Sequence, residues 1–527
     1  MKNKTANFVL KGATTLTIAA LVGKILSAIY RVPFQNLVGN RGFYIYQQIY
    51  PIYGIAMTIG LTGFPVYISK IIAKETSDTK KKQQATSLLK ILFLFGILVF
   101  AVLYLEAAEI AQLMGDNKLE ELIKCVSWLY LLVPLLSVAR GYNQGMQEMM
   151  PTAFSQLVEQ MVRICIIIVA ALFGIAHGWS LYRIGSYAFL GSIVGAICAL
   201  AFFTSFFKEL LKSRHKENLA VMINALKGLL SEGLIICLFA GILVLLQLVD
   251  SFTLKKALQT AGYSMQNAEN LKGVYDRSQT FLQLGLVIST SFSTSLLPML
   301  IKNQVERDKI KFEQNIQLIY RICIWMSMSV TVGLIILMPS LNKALFSSEQ
   351  GSTAISISML TIIFAGIILL DNSILQSTNN YKKNIIVLVS IILIKFLTNY
   401  QFTLHMGIVG AALSSVLSMA IGTFLSGTSL KKIGLSRKLN KRFMVRVIGC
   451  SIIMTVTVFF ILNVLNLTNL LGNSRVGSFI QCIIGVLTGA IFYVGATRYG
   501  NLFSEKEWRN IPGGEYVLKI FRKRMNK

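Results

Sequence analysis

LLKILFLFGILVFAVLYL, residues 88–105, carries a single charge, Lys90. At about 1.5 Å per residue, a helix of that length covers about 27 Å, nearly the hydrocarbon thickness of a bilayer. ISISMLTIIFAGIILL, residues 355–370, carries no charge at all. Runs this long and continuous are unlike the short alternating segments of an outer-membrane barrel. The whole chain follows the same pattern. Over 527 residues it is 54% hydrophobic and 14% charged, and its mean hydropathy is +0.62. The sequence therefore predicts an all-α polytopic membrane protein.

Apolar runs of about 20 residues predict about fourteen spans. Their limits are 12–35, 43–69, 86–106, 122–146, 153–176, 183–207, 228–252, 273–301, 317–340, 353–378, 384–402, 406–429, 443–465 and 476–497. Cations alternate from loop to loop. Lys70, Lys74 and Lys80–Lys82 lie on one side with Lys208, Lys212, Arg214, Lys216, Arg307, Lys309, Lys311, Lys382, Lys383 and the stretch Lys431–Arg446. Both termini belong to that set, through Lys2, Lys4, Lys11 and Arg522–Arg524. The positive-inside rule makes this side cytoplasmic. One loop breaks the pattern, the one holding Lys255, Lys256 and Lys272. The net charge of +28 is thus a topology signal facing anionic lipid, and nucleic acid is not an expected partner. The first span carries Lys24 and is read as a membrane segment, not a cleaved leader.

A weak repeat suggests internal order. Pro65-Val66-Tyr67-Ile68-Ser69-Lys70 and Pro298-Met299-Leu300-Ile301-Lys302 stand 233 residues apart, and Gln144 and Gln376 have almost the same offset. Two parallel six-span lobes follow, with the site expected between them as in two-lobed transporters. The expected organisation is an N-lobe over 1–220 (spans one to six) and a C-lobe over 221–435 (spans seven to twelve). Spans thirteen and fourteen follow over 436–500, and a basic cytoplasmic tail over 501–527.

The informative residues are charges within the apolar runs, because each costs about 2.5–3.5 kcal/mol to insert. Lys24 and Arg31 are seven apart, which returns to one helical face. Gly12, Gly23 and Pro33 suggest that their helix bends. Asp276 and Arg277 open the eighth span, in Gly273-Val-Tyr-Asp-Arg-Ser-Gln-Thr280. Adjacent residues point about 100° apart, so Asp276 is expected to hold Lys24 or Arg31, leaving Arg277 for an anion. The competing reading places these cations at the interface, snorkelling. Tyr44, Tyr46, Gln47, Gln48, Tyr50 and Tyr53 make span two polar. Gln279, Gln283, Ser289–Ser291 and Ser293–Ser295 do the same for span eight. Such a wall suits a sugar-bearing ligand or ordinary interhelical hydrogen bonds. Asp250, Lys395 and Asn399 are candidates for ion coupling: the carboxylate could bind Na⁺ or a proton, or Lys395 could be a built-in cation. A plain Asp–Lys pair is the alternative, and Asp371 also needs a partner. Glu159 and Arg163 read as an i,i+4 helix pair. Arg140, Glu148 and Glu232 read as interfacial.

Several classes are excluded or weakened. His177, His215 and His405 are scattered, no nucleotide-binding glycine loop is present, and the seven cysteines form no CxxC. No catalytic residues, metal site or cofactor is expected. A multidrug cation antiporter would call for an acidic cavity. A scaffold would not need charged membrane segments.

The stretches Gly23–Arg31, Gly63–Lys70 and Gly273–Gln279 resemble those of the MurJ/SpoVB-type flippases, the polysaccharide transporter branch of the MOP exporter superfamily in Gram-positive bacteria. Lys24 stands where many members have arginine, and Ser278 replaces a glycine. The resemblance covers almost the whole chain. It implies a flippase moving an undecaprenyl-diphosphate-linked sugar, foremost the peptidoglycan precursor lipid II, with a role in cell-wall synthesis and cell shape. Another polyprenyl-diphosphate-linked polysaccharide unit is the alternative substrate. By the same resemblance Lys24, Arg31 and Arg277 bind the diphosphate, Asp276 organises them, and the last two spans form a groove for the prenyl tail. Some members hold sodium between spans seven, eleven and twelve, where this chain presents Asp250 with Lys395 and Asn399. The implied setting is the bacterial plasma membrane, with a lipid-linked substrate, anionic lipids and cell-wall synthesis proteins as partners, and the protein a monomer.

Overall fold

The computed structural model describes residues 2–212, 219–294, 309–377, 380–437, 439–468, 474–511 and 513–525, and every regular element among them is helical. The second copy of the repeat, Pro298–Lys302, lies outside the described residues, as do Ser295, Arg307, Arg214 and Lys216. Eleven helices are long and apolar enough to cross a membrane. They are fewer than the fourteen predicted for three local reasons. Spans one and two run on through Gly39, and spans eleven and twelve through Gly407. The end of span eight falls outside the described residues.

The two glycines explain how continuous helices change direction. Gly39 has φ 70° and ψ −178°, and Gly407 has φ 58° and ψ −142°. A side chain at either position would be strained, so glycine marks the corner. A milder break comes earlier, where helix Lys2–Ile29 gives way at Tyr30 to helix Arg31–Thr58. Pro33 causes it. Lacking an N–H, it cannot donate to the carbonyl of Ile29, although Tyr30 N still bonds Leu26 O at 3.1 Å and Phe34 N bonds Tyr30 O at 3.1 Å.

The chain forms two compact units. The first comprises residues 1–276 and 388–411, the second 277–387 and 412–527. The first unit is built around the second span, whose residues Phe43–Tyr46 and Ile49 are fully buried. After Thr58 that helix widens into a π-turn, Ile59–Gly63. The turn loosens the backbone ladder, and two carbonyls point to the fourth span. Ile59 O accepts from Ser137 Oγ at 3.2 Å, and Gly60 O accepts from Arg140 at 3.2 Å. Spans five and six pack backbone to backbone. A Cβ on Gly195 would stand 2.7 Å from Glu159 O, and one on Gly191 3.0 Å from Arg163 O. The small residues four apart thus allow the close approach expected between membrane helices. That contact fixes the part of span five bearing Glu159 and Arg163.

The second unit has its own core. Trp325 stacks on Tyr493, with ring centroids 5.8 Å apart, and meets Trp508 edge-on at 5.9 Å. Ring nitrogen Nε1 of Trp325 donates to Thr497 Oγ1 at 2.9 Å. These contacts tie helix Arg475–Tyr499 and the short helix Glu505–Asn510 to helix Lys309–Phe346. The outer faces of Lys441–Leu467 and Arg475–Tyr499 are lined with exposed apolar residues, among them Ile452, Val456, Phe459, Val486 and Ile491. Such faces belong in lipid.

Candidate functional site

Arg31 is completely buried. Its guanidinium lies over the Tyr50 ring, 4.5 Å from the centroid. The hydroxyls of Tyr30 and Tyr46 are near enough to act on it electrostatically, yet none of its three nitrogens makes a hydrogen bond of good geometry. Among the described residues no carboxylate pairs with it. Lys24 is exposed. One helix therefore carries the two cations into different surroundings, and an interfacial Arg31 is ruled out by its burial.

Asp276 makes no direct ion pair with Lys24 or Arg31 among the described residues, although Arg31 lies within electrostatic reach of it. The Asp276 carboxylate accepts from Lys272 Nζ, at 2.9 Å and 3.2 Å. The helix begins at Met265, well before the predicted start at 273, so Lys272 falls one turn before Asp276 on the same face. Lys255 is also no loop cation. It is fully buried, with Glu269 Oε1 at 3.1 Å and Asp116 at 3.4 Å. Glu269 also accepts from Arg41 Nε at 2.6 Å. Two of the three cations of the loop that broke the charge pattern, Lys255 and Lys272, are thus neutralised inside the protein. Tyr44 joins the two pairs, its ring 5.2 Å from Lys255 Nζ and 5.8 Å from Lys272 Nζ.

Asp250, Lys395 and Asn399 come together in the first unit. Lys395 Nζ stands 2.7 Å from Asp250 Oδ1, 2.8 Å from Asn399 Oδ1 and 3.1 Å from Ala411 O. Three acceptors meet the three donors of an ammonium group. Asn399 Nδ2 in turn donates to Asp250 Oδ1 at 2.9 Å and to Thr253 Oγ1 at 2.6 Å, while Tyr275 reaches Asp250 at 3.5 Å. All three of these site residues are buried.

Arg277 begins the second unit. It is buried, donates to Asn342 Oδ1 at 2.9 Å and to Ser348 O at 3.5 Å, and stacks 5.1 Å from the Phe346 centroid. Asp371, in the same unit, is bound by Arg437, Tyr320 and Ser426. Arg437 comes from the segment after span twelve, a partner invisible in local spacing.

Spans four and five depart from the local spacing at two places. Glu159 pairs with Arg140 at 2.6 Å, not with Arg163. Arg140 is fully buried, held also by Ser155 Oγ at 3.1 Å, and is not interfacial. The π-turn supplies its third acceptor and a companion span its carboxylate, a combination that no i,i+4 rule contains. Arg163 instead donates to Ser27 Oγ at 2.9 Å and Gln160 Oε1 at 2.6 Å. In span two, Gln48 bonds Ser251 O at 2.5 Å and Met114 O at 3.3 Å, an interhelical tie.

A family model described as polysaccharide biosynthesis protein matches residues 9–304. The uncharacterized membrane protein YabM of Bacillus subtilis (strain 168) is 33% identical over 532 residues, covering 98% of this chain and 97% of that relative. The lipid II flippase MurJ of the same organism is 25% identical, covering 96% and 97%. A solved structure of a lipid II flippase MurJ in an inward closed conformation superposes with a TM-score of 0.70 at 16% identity, over 92% of this chain and 98% of that one. The last likeness concerns the fold, the sequence matches the family. The chain belongs to the polysaccharide biosynthesis protein family, as an integral membrane transporter of the MurJ/SpoVB flippase type and not an enzyme.

Proposed function

We propose that the protein is a flippase for a polyprenyl-diphosphate-linked sugar, foremost lipid II, carrying it from the inner to the outer leaflet of the bacterial plasma membrane by alternating access. The observation that carries this reading is Arg31, a fully buried guanidinium with no carboxylate partner among the described residues. A buried charge with no carboxylate at ion-pair distance costs several kcal/mol. An anionic substrate repays that cost on arrival. A guanidinium fork suits a phosphate, and an ammonium adds a point charge. Lys24, Arg31 and Arg277 take the diphosphate in this reading. Asp276, already neutralised by Lys272, fixes the turn from which Arg277 projects. The match to a lipid II flippase over nearly the full chain supports the substrate assignment. Both termini are placed in the cytoplasm by the loop charges, and the last two spans serve the prenyl tail.

The ammonium of Lys395 stands as a fixed cation for Asp250, so resetting the empty carrier does not depend on a metal ion there. Depletion tests the substrate. Loss of the protein should leave lipid II accumulated on the inner leaflet. Accumulation of a different lipid-linked glycan would transfer the assignment to that unit.

A further inference from the structure

The first unit contains a second buried guanidinium without an acidic partner, Arg163 on span five. It is 1% exposed. One terminal nitrogen is used by Ser27 and Gln160; Nε and the other terminal nitrogen have no protein hydrogen-bond partner. Its carbon centre lies 5.1 Å from the Tyr30 ring and 4.9 Å from the Tyr53 ring. Arg31 lies over the neighbouring Tyr50 ring. That ring stands 5.5 Å from the Tyr53 ring over which Arg163 lies, so the two arginines share one tyrosine-walled niche. Gln47, 4% exposed, has neither amide atom hydrogen-bonded. It lies three residues before Tyr50, on the same helical face.

We infer that Arg31, Arg163 and Gln47 form an oxyanion niche inside this unit, and that Arg163 is a direct ligand of the transported diphosphate. This rests on the flippase reading above. Stacking on tyrosine favours each desolvated guanidinium but does not satisfy the N–H groups left without a partner, and each buried unused donor is destabilising. Phosphate oxygens accept from both forks and from the Gln47 amide at once. Glu159, on the same helix as Arg163, is committed to Arg140. At the helix break the hydroxyl of Tyr30 meets that of Tyr46 at 3.1 Å. Exposed Lys24, two turns before, gives an anion its first contact.

The experiment is binding to the purified full chain, read by ligand-induced thermal shift, with undecaprenyl diphosphate and with inorganic pyrophosphate as probes. The lipid diphosphate should stabilise the wild type. Arg163→Gln should weaken it at least tenfold, as Arg31→Gln does, and Arg163→Lys should recover only part, because an ammonium cannot fork. Should Arg163→Gln fail to fold, Gln47→Leu and Arg163→Lys carry the test, each with an expected loss of several-fold. An Arg163-dependent shift with pyrophosphate makes the headgroup the recognised element; dependence with the lipid alone makes it the prenylated form. If Arg163 and Gln47 variants bind like wild type while Arg31→Gln does not, the niche is overturned and the flippase reading stands. If the wild type binds no polyprenyl diphosphate, the flippase reading itself falls.

Discussion

Replacing Lys395 with methionine removes the ammonium and keeps most of the side-chain volume. Asp250 then loses the contact at 2.7 Å, Asn399 the one at 2.8 Å and Ala411 O the one at 3.1 Å. Removing one partner of a buried ion pair costs about 3–5 kcal/mol. Asn399 Nδ2 still donates to Asp250, which places the loss near the lower bound, about 3 kcal/mol. At roughly 2 °C per kcal/mol for a unit of this size, the apparent melting temperature in detergent falls by roughly 6 °C. Adding Asp250→Asn in the Lys395→Met background removes the orphaned charge, and stability returns to within about 1 kcal/mol of wild type. The single variant also leaves Asp250, Asn399, Thr253 and Ala411 as a set of hard oxygen ligands. Sodium chloride should therefore stabilise Lys395→Met more than choline chloride does, and make no such difference to the wild type. A single variant that melts with the wild type would refute the reasoning, as would a sodium effect of equal size in both proteins.

Glu159→Gln should cost about 3–5 kcal/mol, because Arg140 stays buried with only Ser155 and the Gly60 carbonyl; chemical unfolding in micelles measures it, and the loss should shrink when Arg140→Met is added. Gly195→Val pushes a side chain against Glu159 O, where even a Cβ would stand 2.7 Å away. It should lower stability by about 1–3 kcal/mol and reduce transport as span five shifts. Gly39→Ala meets no atom within 4 Å, so its expected cost of about 1–3 kcal/mol is conformational alone, and Gly39→Asn should be milder than Gly39→Val.

The helical membrane fold was legible because each bilayer crossing requires its own apolar run. Boundaries blurred where two helices meet end to end at a non-helical glycine, Gly39 or Gly407, with no polar loop between them. The Asp250–Lys395–Asn399 group was legible as a set of intramembrane charges that had to find partners. Its geometry depended on residues 149 apart in sequence for Asp250 and Asn399. Local spacing misled at two places. Glu159 and Arg163 are properly spaced for a helix pair, but Arg140 competes from span four and wins through a closer, fully buried contact. Lys255 and Lys272 looked like free loop charges because their carboxylates, Asp116, Glu269 and Asp276, lie in segments that reading by loops counts separately. The tyrosines of span two were visible as a polar wall; that they carry guanidinium groups on their faces required the fold.

Transport of a lipid diphosphate is tested most directly by reconstitution. Full-length protein is placed in liposomes with fluorescent lipid II, and the fraction reaching the opposite leaflet is read by accessibility to a membrane-impermeant quencher. Protein-dependent translocation is expected, and Arg31→Ala should abolish it while the variant still inserts. Wild-type protein that moves neither lipid II nor another polyprenyl-diphosphate-linked sugar, or Arg31→Ala that moves it at the wild-type rate, would contradict it.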